Sequence, residues 1–495
     1  MRKSQSYSLT EGPLLPAIVR FSIPLMLSNV LQVLFNMSDI AVVGRFAGSQ
    51  ALGAVGSTTI LVTLFTGFLI GMGSGVNVVT ARYLGARQHL DVIQTVHTSA
   101  ILLLITGVLL LAFGFLFTPS MLRLLGTKDV LLDGAIRYLR IYLFGMPALA
   151  VFNFGNGVLS ASGDTKHPLL FLSIAGVLNV LLNLLFVIVF QMAEAGVALA
   201  SAVSQYVSAG LIVLSLARRP ESIGLHRSLL RLDGNKSRQI LSISIPSGLQ
   251  NAIFAIANLF IQAGVNTFDA VMVEGNAAAA NADALIYDVM AAVYLACSSF
   301  MSQNYGAGHR ERVKKSYLLC LGLSFGIAAV MSAVLVIFGR NFLSLFTKDA
   351  EVVEAGLTRL KVMGCSYAFS ALMDCTIAAS RGLGRSMVPT VIVILGSCVF
   401  RVIWVFTVFA HFHTILSLYL LYIFSWTIKR FHCFGCQADG DVISFTSRLF
   451  DLKPKDAALK LSVDFGIQHD RQETDIPDRK KHIVSDQDIF LHKLS

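Results

Sequence analysis

Long apolar runs, interrupted at intervals by short polar or basic stretches, fill the first 430 residues of the chain. A helix rises 1.5 Å per residue, so a hydrocarbon core of roughly 30 Å needs about 20 mainly apolar residues to cross it. On that ruler the runs predict helices near 17–43, 52–80, 93–118, 134–158, 168–190, 195–217, 239–267, 279–303, 315–338, 354–378, 387–409 and 413–430. Residues 168–190 and 195–217 contain no Asp, Glu, Lys or Arg. Lipid offers the backbone no hydrogen-bond partners, so each run is expected to be a helix. The last differs: Thr414–Ile428 supplies few apolar residues before Lys429 and Arg430, and helix 12 reads as clipped.

The pattern also repeats. Ser22-Ile23-Pro24 returns as Ser244-Ile245-Pro246, Tyr83 as Tyr305, Thr127-Lys128-Asp129 as Thr347-Lys348-Asp349, and Gly163 with Pro168 as Gly384 with Pro389. The offset stays between 220 and 222 residues. It spans six helices, an even number, so both halves keep one orientation and relate by a pseudo-twofold along the membrane normal, with a cavity between them. The expected fold is all-α and integral to the membrane, with twelve transmembrane helices in two six-helix lobes. Its divisions are an N-terminal lobe (1–217), a basic cytoplasmic connector (218–238), a C-terminal lobe (239–430) and a polar cytoplasmic tail (431–495).

Composition agrees, since only 14% of the residues are charged and 55% are hydrophobic, against about 25% charged in soluble domains. The formal charge of +10 belongs to the apolar body, because the tail from residue 435 holds 9 basic and 11 acidic residues. Nucleic acid is therefore not an expected partner. Basic residues gather after even-numbered helices, as with Arg82 and Arg87, Arg218 to Arg238, and Arg310 to Lys315, which places both ends of the helical body in the cytoplasm. The start, with Pro13, Pro16 and Pro24 and polar residues inside the apolar run, reads as a retained helix and not as a secretory signal.

An ionisable group inside a span is costly and so marks a functional site. Asp39 is the first candidate, with Asn36 one turn and Gln32 two turns before it on a polar stripe of helix 1. Low-dielectric surroundings disfavour a bare carboxylate, and a bound cation or donated hydrogen bond offsets this, so such a site exchanges H⁺ or Na⁺. The competing reading is a carboxylate at the outer mouth, paired with Arg45. Asn179 and Asn183, one turn apart on helix 5, and Ser201 on helix 6 supply oxygens that suit a hard cation, Na⁺ on Asp39 and Asn179 above all, although adhesion between helices explains them equally well. The second lobe offers Asp283, Asp374 and Arg401. Asp374 falls where the first lobe has Asn153, and Arg401 is expected to pair with a carboxylate of its own lobe. Gly67, Gly71 and Gly75 are spaced for close helix contact. Cys433-Phe-Gly-Cys436 lacks the second pair that a zinc site needs. No HExxH, P-loop or GxSxG occurs, so neither an enzyme nor an ATP-driven pump is expected.

The runs Met37-Ser38-Asp39-Ile40-Ala41-Val42-Val43-Gly44-Arg45, Tyr83-Leu84-Gly85-Ala86-Arg87, Ser162-Gly163-Asp164-Thr165-Lys166 and Ser302-Gln303-Asn304-Tyr305-Gly306-Ala307 resemble the multidrug and toxic compound extrusion (MATE) family over roughly residues 10–428. The resemblance implies a V-shaped pair of lobes that exports cationic or amphipathic compounds in exchange for H⁺ or Na⁺, with no other cofactor. Asp39 matches the helix 1 aspartate of the DinF-like branch, and Asn153, Asn179 and Ser201 its polar partners, whereas Asn183 stands where some members have a second aspartate. Asp374 resembles an acid of the NorM-like branch. Beyond Trp426 the resemblance ends.

The reading is thus a monomeric multidrug antiporter of the bacterial inner membrane, acting on small molecules. Its rivals are a lipid-linked oligosaccharide flippase and a non-functional copy with a replaced C-terminus.

Overall fold

The computed structural model describes residues 9–220, 222–344, 346–427, 431–433 and 438–440. The helices are α1 (Leu14–Val42), α2 (Gly48–Gly85), α3 (His89–Leu124), α4 (Asp129–Leu143), α5 (Met146–Ala161), α6 (Lys166–Leu184) and α7 (Ala193–Ala217) in the first half. After a connector come α8 (Gly234–Val265), α9 (Ala270–Gly306), α10 (Arg310–Leu343), α11 (Ala350–Gly382), α12 (Met387–Val393), α13 (Phe400–Trp404), α14 (Ala410–Phe412) and α15 (Ile415–Thr427). Wider π-helical turns occupy Val43–Ala47, Leu185–Val189, Ile394–Val399 and Val405–Phe409.

Among the described residues, eight stretches are long and apolar enough to cross a membrane, or ten when two bent pairs are each counted as a span. One bent pair is α4 with α5, at 44°. The stretch Leu14–Gly85 has 72 residues, about 108 Å at helical rise. It divides into α1 and α2 at Gly48, whose φ of +89° is open to glycine and strained for other residues. With α15 the sum is twelve helical crossings in two lobes. The 13 residues of α15 reach about 20 Å, short of a roughly 30 Å core; its continuation lies outside the described residues.

The leading helix of each lobe packs its first half against the other lobe. Leu14, Ile18, Phe21 and Leu25 of α1 pack into the core of the second lobe with Ile286, Val293 and Phe300, while Ile240 and Ile243 of α8 pack into the core of the first. The junction obeys the internal symmetry. Asn29 Nδ2 donates to the Asp288 carbonyl at 2.7 Å, and its counterpart 222 residues on, Asn251, donates to the Gly67 carbonyl at 3.0 Å. Ser299 Oγ donates to Asn77 Oδ1 at 2.8 Å, and these two positions, also 222 apart, meet each other across the pseudo-axis. The junction sits at the end of the molecule that carries the α2–α3 and α9–α10 turns.

Small residues bring α2 and α8 together. A Cβ on Gly71 would overlap the backbone of Gly248 and Ser247, so Gly71→Val is expected to force the lobes apart at a cost of about 1–3 kcal/mol or more. The check is a lowered melting temperature in detergent together with faster labelling of a cysteine placed at Asn251. Gly67→Ala, whose Cβ would sit 3.3 Å from that of Asn251, should show a smaller effect.

The connector is pinned to the first lobe and to the start of α8. Lys236 Nζ contacts Asp91 Oδ1 at 2.5 Å and lies 3.8 Å from the centre of the Tyr83 ring. Asp233 caps α8 by accepting the Lys236 backbone N–H at 2.8 Å. At the connector's start, Arg219 and His167 both bind the Asp164 carboxylate. Burial pushes the Asp164 carboxyl up, but Arg219 and His167 more than offset this and hold it below its ordinary value. A depressed carboxyl contributes stability above its unfolded pKa and loses it as pH falls through the folded one, so the clasp persists until strongly acid pH. Asp164→Asn is expected to speed proteolysis of the connector near residues 218–233 severalfold at neutral pH, where the unaltered protein resists.

Residues 430–495 form a separate unit. Its described part is a hairpin of β1 (Phe431–Cys433) and β2 (Ala438–Gly440), antiparallel with Cys433 opposite Ala438.

Candidate ion and substrate sites between the lobes

Asp39 lies in the last turn of α1, Asn179 and Asn183 on α6, and Ser201 on α7. Packing of these three helices brings all four side chains together. Asn183 Nδ2 donates to Asp39 Oδ1 at 2.5 Å and to Asn179 Oδ1 at 3.2 Å. Ser201 Oγ donates to Asp39 Oδ2 at 3.2 Å and accepts from Asn179 Nδ2 at 3.3 Å. Asn183 is fully buried, and among the described residues its Oδ1 has no donor, although a buried carbonyl oxygen ordinarily finds one. Both α1 and α6 pass into π turns directly after these residues, at Val43–Ala47 and Leu185–Val189. Such turns widen a helix and recur at functional sites.

Arg45 stands exposed on the first of those turns and forms no ion pair with Asp39 among the described residues, so the pairing weighed from sequence is not the one made. Asn153 also departs from expectation: its Nδ2 donates to the Leu149 carbonyl of its own helix at 2.9 Å, and its backbone faces Gly73. Gln32 and Asn36 are exposed on α1 before the cluster. Sequence reasoning missed Tyr138 and Tyr142 on α4, whose rings stack 6.0 Å apart and lie within electrostatic reach of Asp39. Their spacing of four residues was the available signal.

In the second lobe Asp283 binds Arg359 of α11, with Nε to Oδ2 at 3.0 Å and Nη2 on the same oxygen. Tyr367 donates to the other carboxylate oxygen. Asn276 Oδ1 accepts from Arg359 and, at 3.1 Å, from the Tyr419 hydroxyl. Arg359 was not singled out from the sequence; it sits within the predicted tenth helix, where a single Arg about one and a half turns in was the clue. Asp374 receives Ser370 Oγ at 3.4 Å. Arg401 departs from expectation: its Nη1 donates to Asn258 Oδ1 at 2.9 Å, its guanidinium lies over the rings of Tyr422 and Phe254 at 4.9 and 5.5 Å, and no carboxylate comes within 4.0 Å among the described residues.

A duplicated helical bundle with one carboxylate sheltered among amides in its first lobe belongs to the class of membrane transporters. The MatE family model matches residues 24–185 and again 246–407, and the chain belongs to that family. The two matches start and end 222 residues apart. The probable multidrug resistance protein YpnP of Bacillus subtilis is 29% identical over 375 residues, 74% of this chain and 82% of its own length. The FAD transporter of Shewanella oneidensis is 24% identical over 73% of this chain and 80% of its own. A solved outward-facing multidrug resistance MATE transporter of the MOP superfamily superposes with a TM-score of 0.80 at 24% identity, covering 87% of this chain and 96% of that one.

Residues 422–476 match a different family model, the CHC2 zinc finger. The stretch contains Cys433 and Cys436 but no further cysteine, with His432 and His469 as its histidines. His432 and Cys433 are neighbours on β1. A tetrahedral structural site needs four ligands, and of these four side chains Cys436 and His469 lie outside the described residues.

Proposed function

We propose that the protein exports small amphipathic molecules, cationic ones included, from the bacterial cytoplasm in exchange for H⁺ or Na⁺ taken at Asp39. The carrying observation is the sheltered oxygen cluster of Asp39, Asn179, Asn183 and Ser201, in which Asn183 Oδ1 finds no donor among the described residues. Asp39 can take a proton there, and Na⁺ finds hard oxygen ligands in the same four side chains. Basic loops orient the body with the lobe junction in the cytoplasm, so the space between the lobes opens outward and Asp39 meets ions from that side. Ion return down the membrane potential provides about 2.3 kcal/mol per charge per 100 mV, and no ATP enters. The names of YpnP, of the Staphylococcus aureus multidrug export protein MepA and of further relatives support export.

The test is ethidium efflux from proteoliposomes holding the full chain under an imposed pH gradient, and separately under an imposed Na⁺ gradient. Efflux driven by one gradient and abolished by its ionophore is expected. Efflux indifferent to both gradients overturns the ion coupling, and absence of any efflux overturns export.

A further inference from the structure

The internal symmetry of the chain can be followed residue by residue into the two candidate sites. On α1, Ser22, Asn29 and Asn36 are spaced by seven residues, and on α8 Ser244, Asn251 and Asn258 repeat them 222 positions later. Seven residues bring a helix back to nearly the same face about 10.5 Å further along. The lower members of the α8 stripe are spent on the junction, with Ser244 Oγ on the Met72 carbonyl at 2.9 Å and Asn251 on that of Gly67. Asn258 lies two turns beyond, past that contact with α2, and is exposed. Its face therefore looks into the space between the lobes.

Arg401 falls in register as well. At Pro168 and Pro389 the offset between the lobes is 221, and by the ends of the family matches, residues 185 and 407, it is 222. The gained residue has a structural cause: the second lobe carries a π turn at Ile394–Val399 that α6 lacks, and a π turn accommodates one extra residue in a helix. Beyond it Arg401 occupies the place of Asn179, just as Asn258 occupies that of Asn36. The second lobe thus repeats the site of the first with its polarity reversed: an arginine stands where the first lobe has an amide beside a carboxylate, and Ile261 stands where the first lobe has Asp39.

Deepening the export reading, on which it rests, we infer that Arg401, positioned by Asn258 between the Phe254 and Tyr422 rings, binds the carboxylate or phosphate group of an aromatic anionic or zwitterionic substrate. A guanidinium inside a membrane lobe is expensive without a counter-charge. Here Nη1 has a neutral amide, and among the described residues the buried Nε finds no acceptor and no carboxylate is in range. An incoming anion satisfies both the charge and the free donor, since a guanidinium fork matches planar oxyanions in two places. The flanking rings add an apolar surface for the body of the ligand.

Carboxyfluorescein is the anionic probe and ethidium the cationic one. Quenching of intrinsic fluorescence, to which Trp404 three residues from Arg401 contributes, reports carboxyfluorescein binding to the full chain in detergent. Arg401→Gln is expected to weaken that binding at least tenfold, Arg401→Lys and Asn258→Ala about threefold, while the melting temperature holds. Arg340→Gln, at an exposed pair with Glu354, should change neither probe. Unchanged carboxyfluorescein affinity in Arg401→Gln, or an equal loss of both probes with a lowered melting temperature in every Arg401 variant, overturns the assignment. Displacement by phosphatidylglycerol micelles but not by excess benzoate makes the occupant a lipid headgroup and overturns it too. Arg401-dependent binding without ethidium efflux by the unaltered protein would leave this site standing and remove the export reading; efflux with Arg401-independent binding would do the reverse.

Discussion

Asp39→Asn is expected to abolish ion-driven ethidium efflux, lowering the initial rate at least a hundredfold to that of protein-free vesicles. The substitution keeps the volume of the side chain, and an amide still has groups to offer Asn183 and Ser201, so the fold should change by no more than the worth of one or two hydrogen bonds, about 0.5–1.5 kcal/mol each. What it removes is the charge that changes when an ion arrives. A ligand shifts a two-state equilibrium only through its differential affinity for the two states, and an amide that neither takes a proton nor attracts Na⁺ supplies none. Asp39→Glu keeps the charge but moves it by a methylene against the buried Asn183, and a partial rate is expected. Full efflux by Asp39→Asn, with a melting temperature equal to that of the unaltered protein, would take the carboxylate out of the mechanism.

The second large effect lies in the Asp283–Arg359 pair. Arg359 is 7% exposed, and its guanidinium is shared between Asp283 and Asn276 while Tyr367 holds the second carboxylate oxygen. Removing either partner leaves a buried charge without compensation, a change that costs about 3–5 kcal/mol. Asp283→Asn and Arg359→Met should therefore each lower the melting temperature by many degrees and lose surface expression. The double replacement Asp283→Leu with Arg359→Met discards both charges and should recover most of the loss, because the penalty for leaving one charge alone exceeds the worth of the pair. If the double variant is as unstable as the sum of the single ones, the pair does more than neutralise itself, and a role of Asp283 toward substrate gains support.

The contrast between these two sites shows what a linear chain discloses. The cost of a charge in lipid singled out Asp39, Asp283 and Arg401 at once, because that cost depends on the span and not on the neighbours. Asn179, Asn183 and Ser201 were visible as a polar face, but nothing in their spacing distinguished service to Asp39 from adhesion between helices. Asn153, equal to them in sequence terms, turns its amide to the carbonyl of its own helix. Arg359 stayed hidden beside Arg401 since a guanidinium on a predicted helix has no address until the neighbouring helices are placed.

The chain by itself determined the membrane class, twelve helices, the duplication and the shortlist of intramembrane charges, because burial in lipid and the period of a repeat act along the sequence. Only the tertiary structure decided which partner each charge took, that the first halves of α1 and α8 pack on the opposite lobe, and that a π turn brings Arg401 into register with Asn179. Those outcomes depend on which helix faces meet. Such meetings are set by packing between residues far apart in the chain, from 76 positions for Asp283 and Arg359 to 162 for Asp39 and Ser201, for which hydropathy carries no signal.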